Sequence, residues 1–143
     1  MSVDERAEAL FKQGYNCAQS VLAAHSEALG LSEDAALKMA APLGGGIARM
    51  AETCGAVTGA MMVLGLRHCT TEAGDEAKAR AYSLGRQFLE RFNAIHGTMC
   101  CKDLVGYDIS TAEGMQAAKD SGAIKAKCPG FVRDAARIVA EML

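Results

Sequence analysis

Six cysteines, Cys17, Cys54, Cys69, Cys100, Cys101 and Cys128, are the residues of this 143-residue chain best suited to chemistry. No two form a CxxC pair, so the chain encodes no local zinc knuckle, thioredoxin-type dithiol or haem attachment motif. Four of them nevertheless share a setting. Cys17, Cys54, Cys101 and Cys128 each fall at or within about a turn of an expected helix start, where signals such as capping residues and glycine turns stand. The partial positive charge of a helix N-terminus favours thiolate over thiol. Thiolate is the form that binds metals and exchanges disulfides. Intervals of 37, 47 and 27 residues are too long for a local loop, so the fold must assemble the set.

Taken singly, each cysteine would most simply be a small buried filler; the joint pattern singles out these four. Cys69, beside a turn, is read as filler. Adjacent helical residues point about 100° apart, so Cys100 cannot share the geometry of Cys101 and is read as a spare or resolving thiol. Of the three histidines, His96 is the best-placed accessory ligand. His25 fits the core, and His68 would chelate poorly with its neighbour Cys69. Arg49, ahead of Cys54, is placed either to stabilise an anion or to face water. Lys125, Lys127 and Arg133 flank Cys128 as a solvated surface or a mild electrostatic assist. The eight methionines read as flexible core filler. Gly44, Gly45 and Gly46 follow Pro42, and Gly55 and Gly59 stand four apart, clearing one helix face. Together these glycines would let backbone N–H groups come close to sulfur.

Helices must position these groups. Half the residues are apolar, only 5% are aromatic, and tryptophan is absent, which leaves alanine, leucine and methionine to fill a helical core. Apolar residues from Val3 to Leu29 recur at helical spacing. Gly14 interrupts them and Asn16 with Gln19 can re-cap, giving one long helix or two that meet there. A short helix over Glu33–Ala41 ends at Pro42. A third is expected from Ala48 or Ala51 to about Leu66, with Ile47, Met50, Cys54, Val57, Met61 and Leu64 inward. A long helix over Asp75–Ile95 would bury Ala77, Ala81, Leu84, Phe88, Phe92 and Ile95. Short helical pieces follow Cys100 and Ser110 or Thr111. Lys125–Lys127 reads as loop, with Cys128-Pro129-Gly130 leading into the last helix and Pro129 in its first turn. The expectation is an all-α, single-domain compact bundle of about five to six helices with glycine-rich turns, spanning residues 1–143.

A net charge of −2 gives no reason to expect nucleic acid or an anionic membrane. The N-terminal stretch MSVDERAEALF has no signal-peptide pattern, and no apolar run approaches the ~20 residues of a membrane span. A cytoplasmic location follows by default, where six cysteines are not expected to be structural disulfides. No Ser/His/Asp spacing, HExxH or phosphate loop is present, so nucleotide binding is not expected. An alanine- and glycine-rich helical surface suits a homo-oligomer, a dimer being the simplest.

The ordered pieces Gly14-Tyr15-Asn16-Cys17-Ala18-Gln19, Gly44–Ile47, Cys54-Gly55-Ala56-Val57-Thr58-Gly59, Cys101-Lys102-Asp103-Leu104 with Gly106, and Cys128 resemble the redox-active family named for the cysteine pattern C_GCAxxG_C_C. The resemblance runs from Gly14 nearly to the C-terminus. It implies a small helical protein with four family cysteines, here Cys17, Cys54, Cys101 and Cys128, and is compatible with a cysteine-bound iron–sulfur centre. Some members carry haem-binding extensions, which this chain lacks. The pattern writes Gly-Cys-Ala where this chain has Cys54-Gly55-Ala56; within a helix that displacement would turn the thiol by about 100°.

The leading expectation is an oxidoreductase or electron carrier whose four cysteines hold an iron–sulfur cluster and serve an unidentified redox partner. The first alternative is metal-free thiol–disulfide chemistry with Cys54 or Cys101 as nucleophile. The second is a non-catalytic module stapled by a structural Cys₄ zinc site.

Overall fold

The computed structural model describes all residues from Met1 to Leu143 and is all-helical. Eight α-helices follow one another: α1 Val3–Lys12, α2 Cys17–Ser26, α3 Glu33–Ala40, α4 Gly55–His68, α5 Asp75–His96, α6 Cys101–Val105, α7 Ala112–Ser121 and α8 Ala123–Glu141. Short 3₁₀ turns at Glu27–Leu29 and Ala41–Leu43 close α2 and α3. The count exceeds the expected five to six because the chain breaks at more caps than its hydrophobic periodicity reveals. Gly14, at φ 110°, separates α1 from α2.

Helix α2 is the central post. Asn16 and Gln19 form a reciprocal capping box at its start, each bond 2.9 Å long, which satisfies two backbone donors that a helix end leaves open. Its Ala18, Val21, Leu22 and Ala23 are buried, and it packs against α1, α3, α4 and α8. The approach of α4 is close because two glycines face it. A Cβ on Gly55 would stand 2.9 Å from the Ala18 nitrogen, and one on Gly59 2.9 Å from the Ala18 oxygen. Val21, Leu22, Val63, Phe88, Phe92 and Ile138 complete one continuous core. Each such large side chain contributes roughly 1.5–3 kcal/mol by leaving water.

Three expected boundaries are corrected. Helix α4 starts at Gly55 rather than at Ala48 or Ala51. Ile47 and Met50 therefore lie on a turn, 40% and 60% exposed, instead of on an inward stripe. Helix α8 begins at Ala123 behind a left-handed Gly122, so Lys125–Lys127 is helical and Pro129 is interior. On α5 only Phe88 and Phe92 are buried; Ile95 is 51% exposed, and it is His96, one turn after Phe92, that packs against Phe131. No helix is long and apolar enough to cross a membrane.

Candidate functional site

The segment between α3 and α4 sets two of the four thiols. Gly45, Gly46, Ile47, Ala48 and Arg49 form an unbroken run at positive φ (65°, 70°, 67°, 50° and 62°), and Ala51 adds another at 58°. Each non-glycine residue there costs roughly 1–2 kcal/mol. The run is held by Ala48 N–H donating to Pro42 O at 2.8 Å, Ala51 N–H to Gly45 O at 3.0 Å and Glu52 N–H to Gly46 O at 2.9 Å. The chain then lies antiparallel to the stretch before α6, with a β-bridge between Thr53 and Cys100. Cys54 N–H donates to Met99 O at 2.8 Å and Cys101 N–H to Glu52 O at 2.6 Å. This clamp fixes Cys54 against Cys101 before either helix begins.

Glycines set the remaining spacings. A Cβ on Gly46 would meet the Cys101 Cβ at 2.6 Å, one on Gly44 the Asn16 Cβ at 2.6 Å, and one on Gly55 the Cys17 Cβ at 3.1 Å. Asn16 caps α2 and also donates from Nδ2 to Ala41 O at 2.9 Å, so Cys17, the next residue, is anchored between α2 and the end of α3. Three of the four thiols thus stand at helix starts: Cys17 and Cys101 as first residues of α2 and α6, Cys54 as the residue capping α4. The fourth, Cys128, comes from within α8, just before Pro129.

All four line one cavity of about 170 Å³, walled by apolar side chains including Leu104, Ile109 and Phe131. Cys54, Cys101 and Cys128 are buried, Cys17 is half-buried, and all are free thiols. Gly45, Gly46, Gly55 and Arg49 also border the cavity. Gly44 and Gly59 do not; they admit Asn16 and α2 instead. Cys100 turns away, its Sγ 3.5 Å from Ala51 O, and Cys69 is exposed at the end of α4. His96 stands behind the cavity wall, edge-on to Phe131 with ring centroids 5.0 Å apart. Its Nε2 is 2.9 Å from Asp134 Oδ2 without the geometry of a hydrogen bond. A larger surface groove of about 870 Å³ runs along His68–Gln87 and touches none of the four thiols.

The thiols are electrically unequal. The neighbouring Cys128 and Cys54 thiols, with burial, push the Cys17 pKa well up. Cys54 is lowered, first by Cys17 and then by the backbone N–H groups of Ala56 and Val57 in the opening turn of α4, against an opposing burial cost. Cys128 is lowered by Cys17, with a smaller contribution from the Lys127 ammonium. A thiol has one S–H to give, so Cys17 serves one of its two neighbours at a time. The backbone donors make Cys54 the better thiolate. Burial, reinforced by the other sulfurs, pushes Cys101 up to about 12.

Residues 15–142 match the sequence model of a family described as "Putative redox-active protein (C_GCAxxG_C_C)". The chain belongs to that family. No curated protein and no solved structure matches it. For this C_GCAxxG_C_C protein the Cys54-Gly55-Ala56 order carries no helical rotation of the thiol, because Cys54 precedes α4. The backbone donors on Cys54 had no side-chain signature in the sequence; a cysteine followed by a helix start was the available signal. Lys127, read as solvated surface, also donates from Nζ to Val105 O at 3.2 Å, which ties α8 to the end of α6 beside the site.

The donor set of the C_GCAxxG_C_C site suits thiolate chemistry. A single ion held by thiolates needs sulfurs at about 2.3 Å, and no group of three or more His, Cys, Asp or Glu is spaced to hold one ion. Cys17, Cys54, Cys101 and Cys128, all bordering one cavity, are the residues that would hold a thiolate-bound metal centre.

Proposed function

We propose that this protein is a thiol-based redox protein in which Cys54 is the attacking thiolate and Cys17 the resolving thiol. The observation that carries the reading is the position of Cys17, which lines one cavity together with Cys54 and Cys128. In the forward step Cys54 thiolate attacks one sulfur of a disulfide oxidant, forming a mixed disulfide and releasing one thiolate. Cys17 passes its proton to the neighbouring Cys128 sulfur and attacks Cys54 Sγ, displacing the second thiolate. Cys17 and Cys54 become one disulfide, the oxidant gains two electrons and leaves as two thiolates, and the Cys17 proton rests on Cys128. Cys101, whose thiol is pushed up to about 12, stays a thiol.

The test is to oxidise fully reduced protein with a small disulfide under nitrogen and map the cross-linked peptides by mass spectrometry. A loss of two hydrogens located in a Cys17–Cys54 peptide supports the reading. Oxidation that never includes Cys17 sinks it.

A second reading, an iron–sulfur centre, is favoured by the fourth thiol: Cys101 borders the same cavity without reach to Cys17. Such a centre would supply one-electron transfer. Iron, acid-labile sulfide and visible absorbance in anaerobically purified protein would support it; iron-free, colourless protein after anaerobic reconstitution would rule against it.

A further inference from the structure

We infer that the corner between α7 and α8 is the entry site for an anionic, carboxylate-bearing low-molecular-weight disulfide. This rests on the thiol–disulfide reading and names the class of its substrate. A groove of about 480 Å³ lies at that corner, bordered by Lys119 and Lys125. Met115 and Ile124 line both this groove and the cysteine cavity, so the two hollows share a wall. Met115 is the more yielding, an unbranched thioether with three rotatable bonds. Helix α7, which carries it, buries only Ala118 and ends at the left-handed Gly122.

The two charged residues that line the groove are both lysines. Lys119, Lys125 and Lys127 form none of the protein's ion pairs, and neither does Arg49 on the cavity wall. The chain as a whole is acidic, with a net charge of −2. Two unpaired lysines on the groove and the unpaired Arg49 on the cavity wall therefore run against the average. A cleft with low-dielectric walls and charges of one sign concentrates ligands of the opposite sign. A dianionic disulfide would rest its carboxylates among the lysines and present its S–S bond toward Cys54. The exchange is the one written above, with one substrate molecule leaving as two anionic thiols.

Three linear disulfides of similar length test this: dithiodipropionate (dianionic), hydroxyethyl disulfide (neutral) and cystamine (dicationic). Oxidation rates of the full-length reduced protein are normalised to those of free mercaptoethanol with the same reagent. The expected order is anionic, neutral, cationic, with the anionic probe favoured by about 10-fold or more at low salt and the advantage shrinking as salt screens it. In Lys119→Glu/Lys125→Glu the order should collapse or invert, with circular dichroism and melting temperature unchanged because both lysines are exposed. Equal normalised rates for all three probes would overturn the entry site while leaving thiol–disulfide chemistry standing. A preference that survives in the double variant would overturn it too. Failure of every probe to form a protein disulfide would remove the thiol–disulfide reading, and this inference with it.

Discussion

Gly46 and Cys101 meet with no room for a methyl group between them: a Cβ on the glycine would stand 2.6 Å from the cysteine Cβ. The glycine also holds φ at 70° and accepts from Glu52 N–H, the residue whose carbonyl receives Cys101 N–H. One position thus joins the turn, the backbone clamp and a site thiol.

Gly46→Ala should therefore cost about 2–4 kcal/mol, the sum of a left-handed penalty and a forced displacement. Urea denaturation measures it. Gly65→Ala on α4 is the matched control, since nothing lies within 4 Å of its added Cβ; it should be neutral or stabilising by roughly 0.5–1 kcal/mol. Equal losses for the two would remove the special role of Gly46.

Asn16→Ala should cost about 1–2 kcal/mol through loss of the α2 cap and of the bond to Ala41 O. Cys17 sits next to that cap, so its alkylation by iodoacetamide should accelerate in the variant while Cys69 alkylation stays constant. A stability loss without any change at Cys17 would separate the cap from the site.

Site-resolved alkylation against pH should find Cys54 reacting at lower pH than Cys101, whose thiol is pushed up to about 12. In Cys17→Ala the Cys54 profile should move to higher pH, because burial is then opposed only by the Ala56 and Val57 donors. An unmoved Cys54 profile would show that the helix start alone sets its acidity.

Stability should fall at both ends of the pH scale, for opposite reasons. Burial lowers His25 from its ordinary 6.5, only partly offset by its contact with Ala136 O. Above that pH the ring is neutral whether the chain is folded or unfolded. As pH drops below it the unfolded chain takes up a proton the fold resists, and stability declines. Cys101 is raised from 9.0 to about 12; between those values the unfolded chain loses a proton the fold retains, so stability declines as pH rises. Melting temperatures across the range should show the acid limb flattened in His25→Gln and the alkaline limb flattened in Cys101→Ala.

What could be read from the sequence was local chemistry. The Asn16–Gln19 capping box, the Ser32 start of α3 and the Gly97 end of α5 depend on residues within one turn of each other, and each stands where its side chains indicate. Ile47, Ala48 and Arg49 carry no mark of positive φ; a β-branched isoleucine argues against it, and the hydrogen bonds and clamp around them involve residues far along the chain. Pro129 was misplaced for a related reason. Proline is commonest in a first turn, whereas here α8 already runs one and a half turns ahead of it from Gly122. The common cavity of the four cysteines was legible as a pattern of helix starts for Cys17, Cys54 and Cys101. Cys128 reaches the same cavity from a helix interior, by the packing of α8 that no local signal encodes.

The run from Gly45 to Arg49 has one more consequence, and it concerns chirality. At 47, 48, 49 and 51 the backbone adopts the hand that L-amino acids resist, so the mirror-image residue fits each position better than the natural one. A chemically assembled chain with D-alanine in place of Ala48 should gain about 1–2 kcal/mol, where the same exchange in the middle of α2 would break the helix. Beside its cysteines, the protein holds a short stretch of the opposite handedness.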